Sequence, residues 1–196
     1  MKTLRNLMRA ALVCFGTACV CAASELPTDS LYQLRADLRT QKGDTVGLNL
    51  YRGHPALISM FYGSCPAACP MLITGIQVYE SHLGESSRAR LRVLLVSFDA
   101  ERDTPQQLER LAHLHQADPG RWTFAGASEP QARKIAALLG IRYQHLTNGE
   151  YEHSLLITLV DAEGRVLAST TKVVGDTQFQ AKLQAATATA ITPAIH

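Results

Sequence analysis

Ala56-Leu57-Ile58-Ser59-Met60-Phe61-Tyr62-Gly63-Ser64-Cys65-Pro66-Ala67-Ala68-Cys69-Pro70 is the stretch on which the reading of this chain turns. A short apolar run passes through a Gly-Ser turn into two cysteines four residues apart, each followed by proline. Strand, turn and helix start is the order that puts cysteines at a helix N-terminus, where unpaired N–H groups and the positive dipole end favour thiolate. Thiolate is the form that attacks disulfides and binds soft metals. One helical turn separates the two side chains, about 40° around the axis and ~6 Å at Cα. That separation permits a disulfide and equally a shared ion. A static staple is a weak explanation, because so short a loop removes little unfolded-state entropy.

Outward from this stretch, the pattern predicts two short strands within 31–50 around the turn Gln41-Lys42-Gly43-Asp44, and a buried strand over Ala56–Phe61. A helix is predicted over 67–83, with Met71, Leu72, Ile76, Tyr79 and Leu83 as apolar positions; Pro66 suits its first residue and Pro70 should bend it. Residues 91–98 form the clearest buried strand. Thr104-Pro105-Gln106-Gln107 opens a helix to Gln116, and Ser128-Glu129-Pro130-Gln131 repeats that start for a helix ending at Gly140. A short strand over 122–124 lies between them. Segments 154–160 and 165–169 flank Asp161-Ala162-Glu163-Gly164 as a hairpin, 176–186 is a last amphipathic helix, and the tail to His196 reads as frayed. The order is that of a thioredoxin-like α/β fold: a central mixed sheet flanked by helices, with an N-terminal β-hairpin extension.

The chain has 196 residues, 46% hydrophobic and 18% charged, which is ordinary composition for one globular domain. Its N-terminus stands apart. Lys2, Arg5 and Arg9 precede an uncharged, mostly apolar run over 10–23 that ends in small residues. This layout predicts a signal peptide over 1–24, with Val20-Cys21-Ala22 or Ala22-Ala23-Ser24 as cleavage boxes. Gly16-Thr17-Ala18-Cys19 offers a lipoprotein box with Cys19 lipidated, and an uncleaved anchor is a third reading, though the run is shorter than the ~20 residues of a spanning helix. All three place the remainder outside the cytoplasm, in the periplasm or cell envelope. Without the three leader cations, 16 basic residues face 17 acidic ones, a net charge near −1 that leaves no basic field for nucleic acid. Cys14, Cys19 and Cys21 also fall in the leader, so Cys65 and Cys69 are the expected mature thiols, an even pair that an oxidising compartment can join.

Two thiolates do not complete a metal site, and His153, at the predicted entry to the strand over 154–160, is the imidazole placed to join them across the sheet. Two sulfurs and an imidazole suit copper in either oxidation state. A structural zinc site takes four protein ligands, and no fourth is evident. A lone histidine at a strand edge is also an ordinary structural residue. The residues by themselves leave a redox pair, a metal site or both.

Three segments then carry a resemblance. Phe61-Tyr62-Gly63-Ser64-Cys65-Pro66-Ala67-Ala68-Cys69-Pro70, Val96-Ser97-Phe98-Asp99-Ala100-Glu101-Arg102-Asp103-Thr104-Pro105 and Glu152-His153-Ser154 occur in the order expected for the SCO/SenC family, and the likeness extends over about residues 31–185. It implies a thioredoxin-like domain, taken here as 25–187, and the Ala/Thr-rich residues 188–196 read as a flexible tail. It implies copper, Cu(I) or Cu(II), held by Cys65, Cys69 and His153. The implied role is copper delivery to the cytochrome c oxidase subunit carrying the dinuclear copper site, with other copper chaperones or thiol reductases as further partners. Many members resemble Cys-Pro-Asp-x-Cys-Pro, whereas this chain has Ala67 and Ala68 between its cysteines. All three ligand positions remain, while a charge that tunes the thiols or meets a partner is lost.

The alternative is a periplasmic thiol–disulfide oxidoreductase using Cys65 and Cys69 as its redox pair to keep cysteines of an oxidase or other envelope proteins reduced. Its usual spacing is Cys-x-x-Cys, one residue shorter, and it has no need of His153. A peroxidase on the same fold ranks third, since its supporting threonine and arginine cannot be placed. Asp99 and Asp103 lie where loops of open α/β sheets gather function, yet an acid before Thr-Pro ordinarily caps the helix. His113 and His115 read as surface residues; His54, His82 and His145 show no partner pattern. Met60 and Met71 offer thioether sulfur but sit among apolar neighbours and read as core.

Overall fold

The computed structural model describes residues 25–65, 68–147 and 149–188. The predicted leader with its three cysteines, the placement of Pro66 and all but the first residue of the predicted tail lie outside the described residues. Nine strands and five α-helices follow one another among those described: β1 Leu38–Thr40, β2 Thr45–Val46, β3 Ala56–Phe61, α1 Ala68–Ser81, α2 Glu85–Arg90, β4 Arg92–Ser97, α3 Pro105–Leu114, β5 Trp122–Ala127, α4 Glu129–Leu139, β6 Tyr143–His145, β7 Tyr151–His153, β8 Ile157–Val160, β9 Val166–Thr170 and α5 Thr177–Ala188. Seven strands form one mixed sheet in the order β2-β1-β5-β4-β3-β8-β9, while β6 and β7 pair apart from it as a separate hairpin.

The middle of the sheet is parallel. β3 pairs β4 from Ala56↔Arg92 to Phe61↔Ser97, and β4 pairs β5 from Val93↔Trp122 to Ser97↔Gly126. Parallel neighbours need crossovers, and helices supply them. Every residue of β3 is buried, as are all but the first of β4, which is why both read in sequence as unbroken apolar runs. The predicted N-terminal extension is present: β1 and β2 form a hairpin around Gly43, and β1 adds antiparallel to β5 through Leu38↔Ala127. On the other flank β8 and β9 add antiparallel to β3. The result is the thioredoxin-like α/β arrangement with its frontal hairpin.

Helix ends follow local chemistry in part. Thr104 Oγ1 accepts from Gln107 N at 3.4 Å and caps α3, with Pro105 next. α4 stops at Gly140, whose φ of 74° is left-handed and suits a residue without Cβ. Ser128 makes no capping bond; its hydroxyl pairs with the Gln131 side-chain amide instead. α1 begins at Ala68, so Pro70 falls among the first N–H groups, which have no intrahelical acceptor. The reason for a bend there is removed. The short α2 and the β6–β7 hairpin were not expected from sequence.

α1, which carries Cys69, is fixed along its length. Glu80 accepts from Arg121 Nη1 at 2.5 Å and from Trp122 Nε1 at 3.1 Å, tying the helix to β5. Burial raises that carboxyl against the opposing pull of Arg121. Tyr79 donates to Lys172 O at 2.8 Å and packs edge-on against Phe179 of α5 at 5.0 Å. Gly75 sits where the helix meets the segment after β9, and a Cβ there would lie 2.9 Å from Val173 Cβ and closer still to its carbonyl oxygen. Backbone cannot yield as a flexible side chain can. Gly75→Ala is expected to lower the unfolding free energy by about 1–3 kcal/mol, seen as a lower urea midpoint at unchanged m; an unmoved midpoint would contradict the contact.

Candidate metal centre

The site forms where β3 and β4 end. Their chains emerge side by side, and Tyr62-Gly63-Ser64-Cys65 turns into α1 while Phe98-Asp99 leads to α3. Cys65 closes that turn, its N–H donating to Tyr62 O at 3.3 Å. Cys69 is the second residue of α1 and is 2% exposed, against 9% for Cys65. Neither sulfur is in a disulfide. Cys69 N donates to Cys65 Sγ and Tyr62 N donates to Cys69 Sγ, each at 3.4 Å.

The third predicted residue is beside them, though not where the sequence reading put it. His153 ends β7 of the small hairpin and does not enter β8, which begins at Ile157. Its Nε2 lies 3.9 Å from Cys69 Sγ, and the two sulfurs and a ring nitrogen all lie within 4.8 Å of one another. Donors bound to one ion at about 2.0–2.3 Å sit roughly 3.5–4 Å apart, so small adjustments bring this set onto a single soft ion. Among the described residues it is the one group of three or more histidine, cysteine or acidic side chains with metal-binding geometry.

Electrostatics at Cys69 and His153 are set by desolvation. Burial pushes the Cys69 thiol well above its ordinary value, only partly offset by the Tyr62 N–H. The expected preference of a helix N-terminus for thiolate is overridden at Cys69, since a dipole end contributes little against the cost of a buried anion. A bound cation reverses that balance, because it supplies the counter-charge inside the same pocket. Burial lowers the His153 pKa against the Ser154 carbonyl, which favours the neutral ring. Nδ1 is 3.4 Å from Ser154 O; in the tautomer that donates there, Nε2 turns its lone pair toward the sulfurs.

An aromatic seam brings the hairpin to the sheet. Phe98, just past β4, stacks on Tyr143 at 4.7 Å and meets Tyr151 at 4.9 Å and His153 at 5.3 Å, while Tyr62 contacts Phe98, Tyr151 and His153 at 5.2–5.8 Å. Tyr151 and His153 share a strand face by their two-residue spacing. Tyr62, Phe98, Tyr151 and Tyr143 are thus site residues that the sequence reading missed. The signal was present in Tyr151-x-His153, once β7 is read as a strand. His145 joins the seam at its outer end, 4.7 Å from Tyr151. A groove of about 1390 Å³ runs between α4, the 99–102 loop and the hairpin; it borders the seam at Phe98, Tyr143 and Tyr151 and is not lined by Cys65, Cys69 or His153.

Asp103 has a different task from the capping expected of it. It is 5% exposed and accepts from Gly63 N at 2.7 Å and from the Ser97 hydroxyl, fastening the cysteine turn to the end of β4. A Cβ on Gly63 would collide with this carboxylate. Asp99 pairs with Arg102, which lies over the Tyr151 ring at 5.7 Å. Met60 is in the core as expected, whereas Met71 is 54% exposed and is not. His113 is exposed as expected and His115 is half-buried.

Burial raises the Asp103 pKa from 3.8, with Ser97 and Gly63 opposing. The folded chain therefore keeps a proton where the unfolded chain has released it, and this group's contribution to stability falls as pH rises from about 3.8 through the raised folded value. The unfolding free energy of wild type minus that of Asp103→Asn is expected to be greatest near pH 4 and to fall toward neutrality. Chemical denaturation across that range checks it, and a difference that grows with pH would contradict a raised carboxyl.

Comparison with known proteins places the chain in a family. The SCO1/SenC family profile matches residues 28–188. An SCO1 protein homolog of Bacillus subtilis (strain 168) is 23% identical over 171 residues, covering 85% of this chain and 87% of its own. The solved structure of Bradyrhizobium japonicum ScoI with copper bound superposes with a TM-score of 0.65 at 23% identity, over 78% of this chain and 98% of that one. BsSco, a member of the Sco family of cytochrome c oxidase assembly proteins in which a disulfide switch was identified, superposes with a TM-score of 0.63 at 20% identity, over 79% and 95% of the two chains. The match spans nearly all of the described residues, including both cysteines and His153: this chain belongs to the SCO1/SenC family.

Proposed function

We propose that this protein holds one copper ion on Cys65, Cys69 and His153 and delivers it to the dinuclear copper site of cytochrome c oxidase. The observation that carries this reading is the convergence of two sulfurs and an imidazole nitrogen within 4.8 Å, the imidazole coming from at least 84 positions beyond the cysteines. The donor set matches copper's tolerance of both thiolate and imidazole. The copper-bound ScoI relative and the oxidase-assembly role of the Sco family support the cargo and its destination. The leader pattern of residues 1–24 supports export, with transfer in the periplasm.

In this reading the chain's residues divide the work. Cys65 and Cys69 supply the soft donors and give up their protons as the ion enters. His153 supplies the third donor with its Nδ1 side engaged, and Asp103 keeps the cysteine turn in place. A site with one half-buried donor, His153, beside two buried sulfurs suits an ion that must leave as well as enter. Once copper has gone, an oxidising thiol–disulfide partner can take two electrons and two protons from the pair and leave a disulfide.

A second reading rests on those same sulfurs. Neither is in a disulfide and the two lie within 4.8 Å of each other, which favours thiol–disulfide exchange that keeps oxidase or other envelope cysteines reduced. His153 separates the two. His153→Ala is expected to weaken Cu(II) binding by more than about 100-fold, beyond the 10–100-fold typical of an outer-shell loss, while dithiol oxidation and reduction proceed as in wild type. Competition titrations with Cu(I) and Cu(II) separately, alongside the dithiol reduction potential, check this. Unchanged Cu(II) affinity would remove His153 from the site, and a wild-type protein that binds neither ion would leave exchange as the function.

A further inference from the structure

The three ligands come from two bodies with no shared ladder among the described residues. Cys65 and Cys69 belong to the end of the seven-stranded sheet, whereas His153 belongs to the hairpin, whose strands pair only with each other. Two strands of three residues have little stability of their own in water. What holds this hairpin against the sheet is side-chain contact, and most of that is the aromatic seam, which is attractive but weakly directional. Directional contacts join it: His153 Nε2 meets Cys69 Sγ at 3.9 Å, and a shorter one lies outside the three donors. Tyr62 donates its hydroxyl proton to Glu150 Oε2 at 2.8 Å, a short side-chain hydrogen bond between the two bodies.

Its position in the chain is what gives it consequence. Tyr62 lies three residues before Cys65, is 2% exposed, directs its N–H at Cys69 Sγ and sets its ring edge-on to His153 at 5.8 Å. Glu150 lies three residues before His153, directly ahead of β7, and its carbonyl oxygen accepts from Leu146 N across the hairpin's turn. The Tyr62–Glu150 bond therefore joins the segment that sets the sulfurs to the segment that sets the imidazole. From this geometry we infer that Tyr62 and Glu150 are positioning residues forming a latch that fixes His153 at the sulfurs and so governs whether the site can hold Cu(II). The inference rests on the copper reading given above. Two sulfurs suffice for Cu(I), which favours thiolates, whereas Cu(II) draws on the imidazole. Loosening the hairpin thus weakens one oxidation state selectively.

Tyr62→Phe removes the hydroxyl and keeps the ring in the seam. The full chain, reduced and metal-free, is expected to exchange the Leu146 and Ser154 amides, which bridge the two ends of the hairpin, about tenfold faster in this variant. In the copper-loaded chain, Cu(II) affinity is expected to fall about tenfold with a shifted thiolate-to-Cu(II) absorption, and Cu(I) affinity to stay within about twofold. Glu150→Leu should reproduce these effects, and Glu150→Gln, which keeps an acceptor oxygen, should restore most of the wild-type behaviour. Exchange rates and Cu(II) affinity that match wild type in Tyr62→Phe would overturn the latch, as would an equal loss of Cu(I) and Cu(II). A wild-type chain that takes up neither ion would overturn the copper reading and the metal consequence of the latch together, while the exchange rates of the metal-free chain still decide whether Tyr62 and Glu150 hold the hairpin.

Discussion

The packing of Tyr62 and Phe98 against Tyr143, Tyr151 and His153 is the contact on which the rest of the site depends. β3 and β4 run parallel and end together, so the residues just past them, Tyr62 and Phe98, stand side by side at one rim of the sheet. That rim is where an open α/β sheet presents its loops. A hairpin too short to be stable alone is drawn onto the two rings, and the imidazole arrives with it. Without the seam, the cysteines are a dithiol at the start of a helix. With it, they are two-thirds of a metal site.

Around the seam, burial decides the chemistry. The same desolvation that raises the Cys69 thiol and the Asp103 carboxyl lowers the His153 imidazole, so in each case the neutral form is favoured. A pocket arranged in this way resists holding an uncompensated anion and accepts a cation that supplies the missing charge. Asp103 pays for its burial with two hydrogen bonds, and in return the Gly63 turn is fastened to β4 by a contact forty residues long in sequence. The fold thus separates holding the sulfurs, through Asp103 and α1, from holding the imidazole, through the seam.

Much of this was legible in the chain. β3 and β4 are buried on both faces and declare themselves as apolar runs; Thr104-Pro105 and Gly140 mark helix ends because capping and left-handed φ are local requirements. Cys65 and Cys69 were legible from their close spacing at a strand-to-helix turn, although Cys65 lies in the turn and only Cys69 on α1, and the ordered motifs reached His153. The β6–β7 hairpin was hidden because its strands are three residues long and owe their order to rings elsewhere in the chain. Asp103 looked like a cap because an acid before Thr-Pro carries no sign of a partner at Gly63. Met71 was counted with the helix's apolar face, yet it lies on the exposed stripe with Thr74 and Ser81. Cys69 shows the limit most clearly: a dipole is readable from the helix start, but the burial that outweighs it is a property of the assembled fold.

The central claim is that one copper ion sits between the sheet's two sulfurs and the hairpin's imidazole. X-ray absorption at the copper edge of the Cu(II)-loaded protein tests it most directly. The account predicts a first shell containing two sulfurs and an imidazole nitrogen, with the outer-shell scattering of the imidazole ring. A shell of nitrogen and oxygen alone, or one in which His153→Ala leaves the imidazole signal in place, would contradict it.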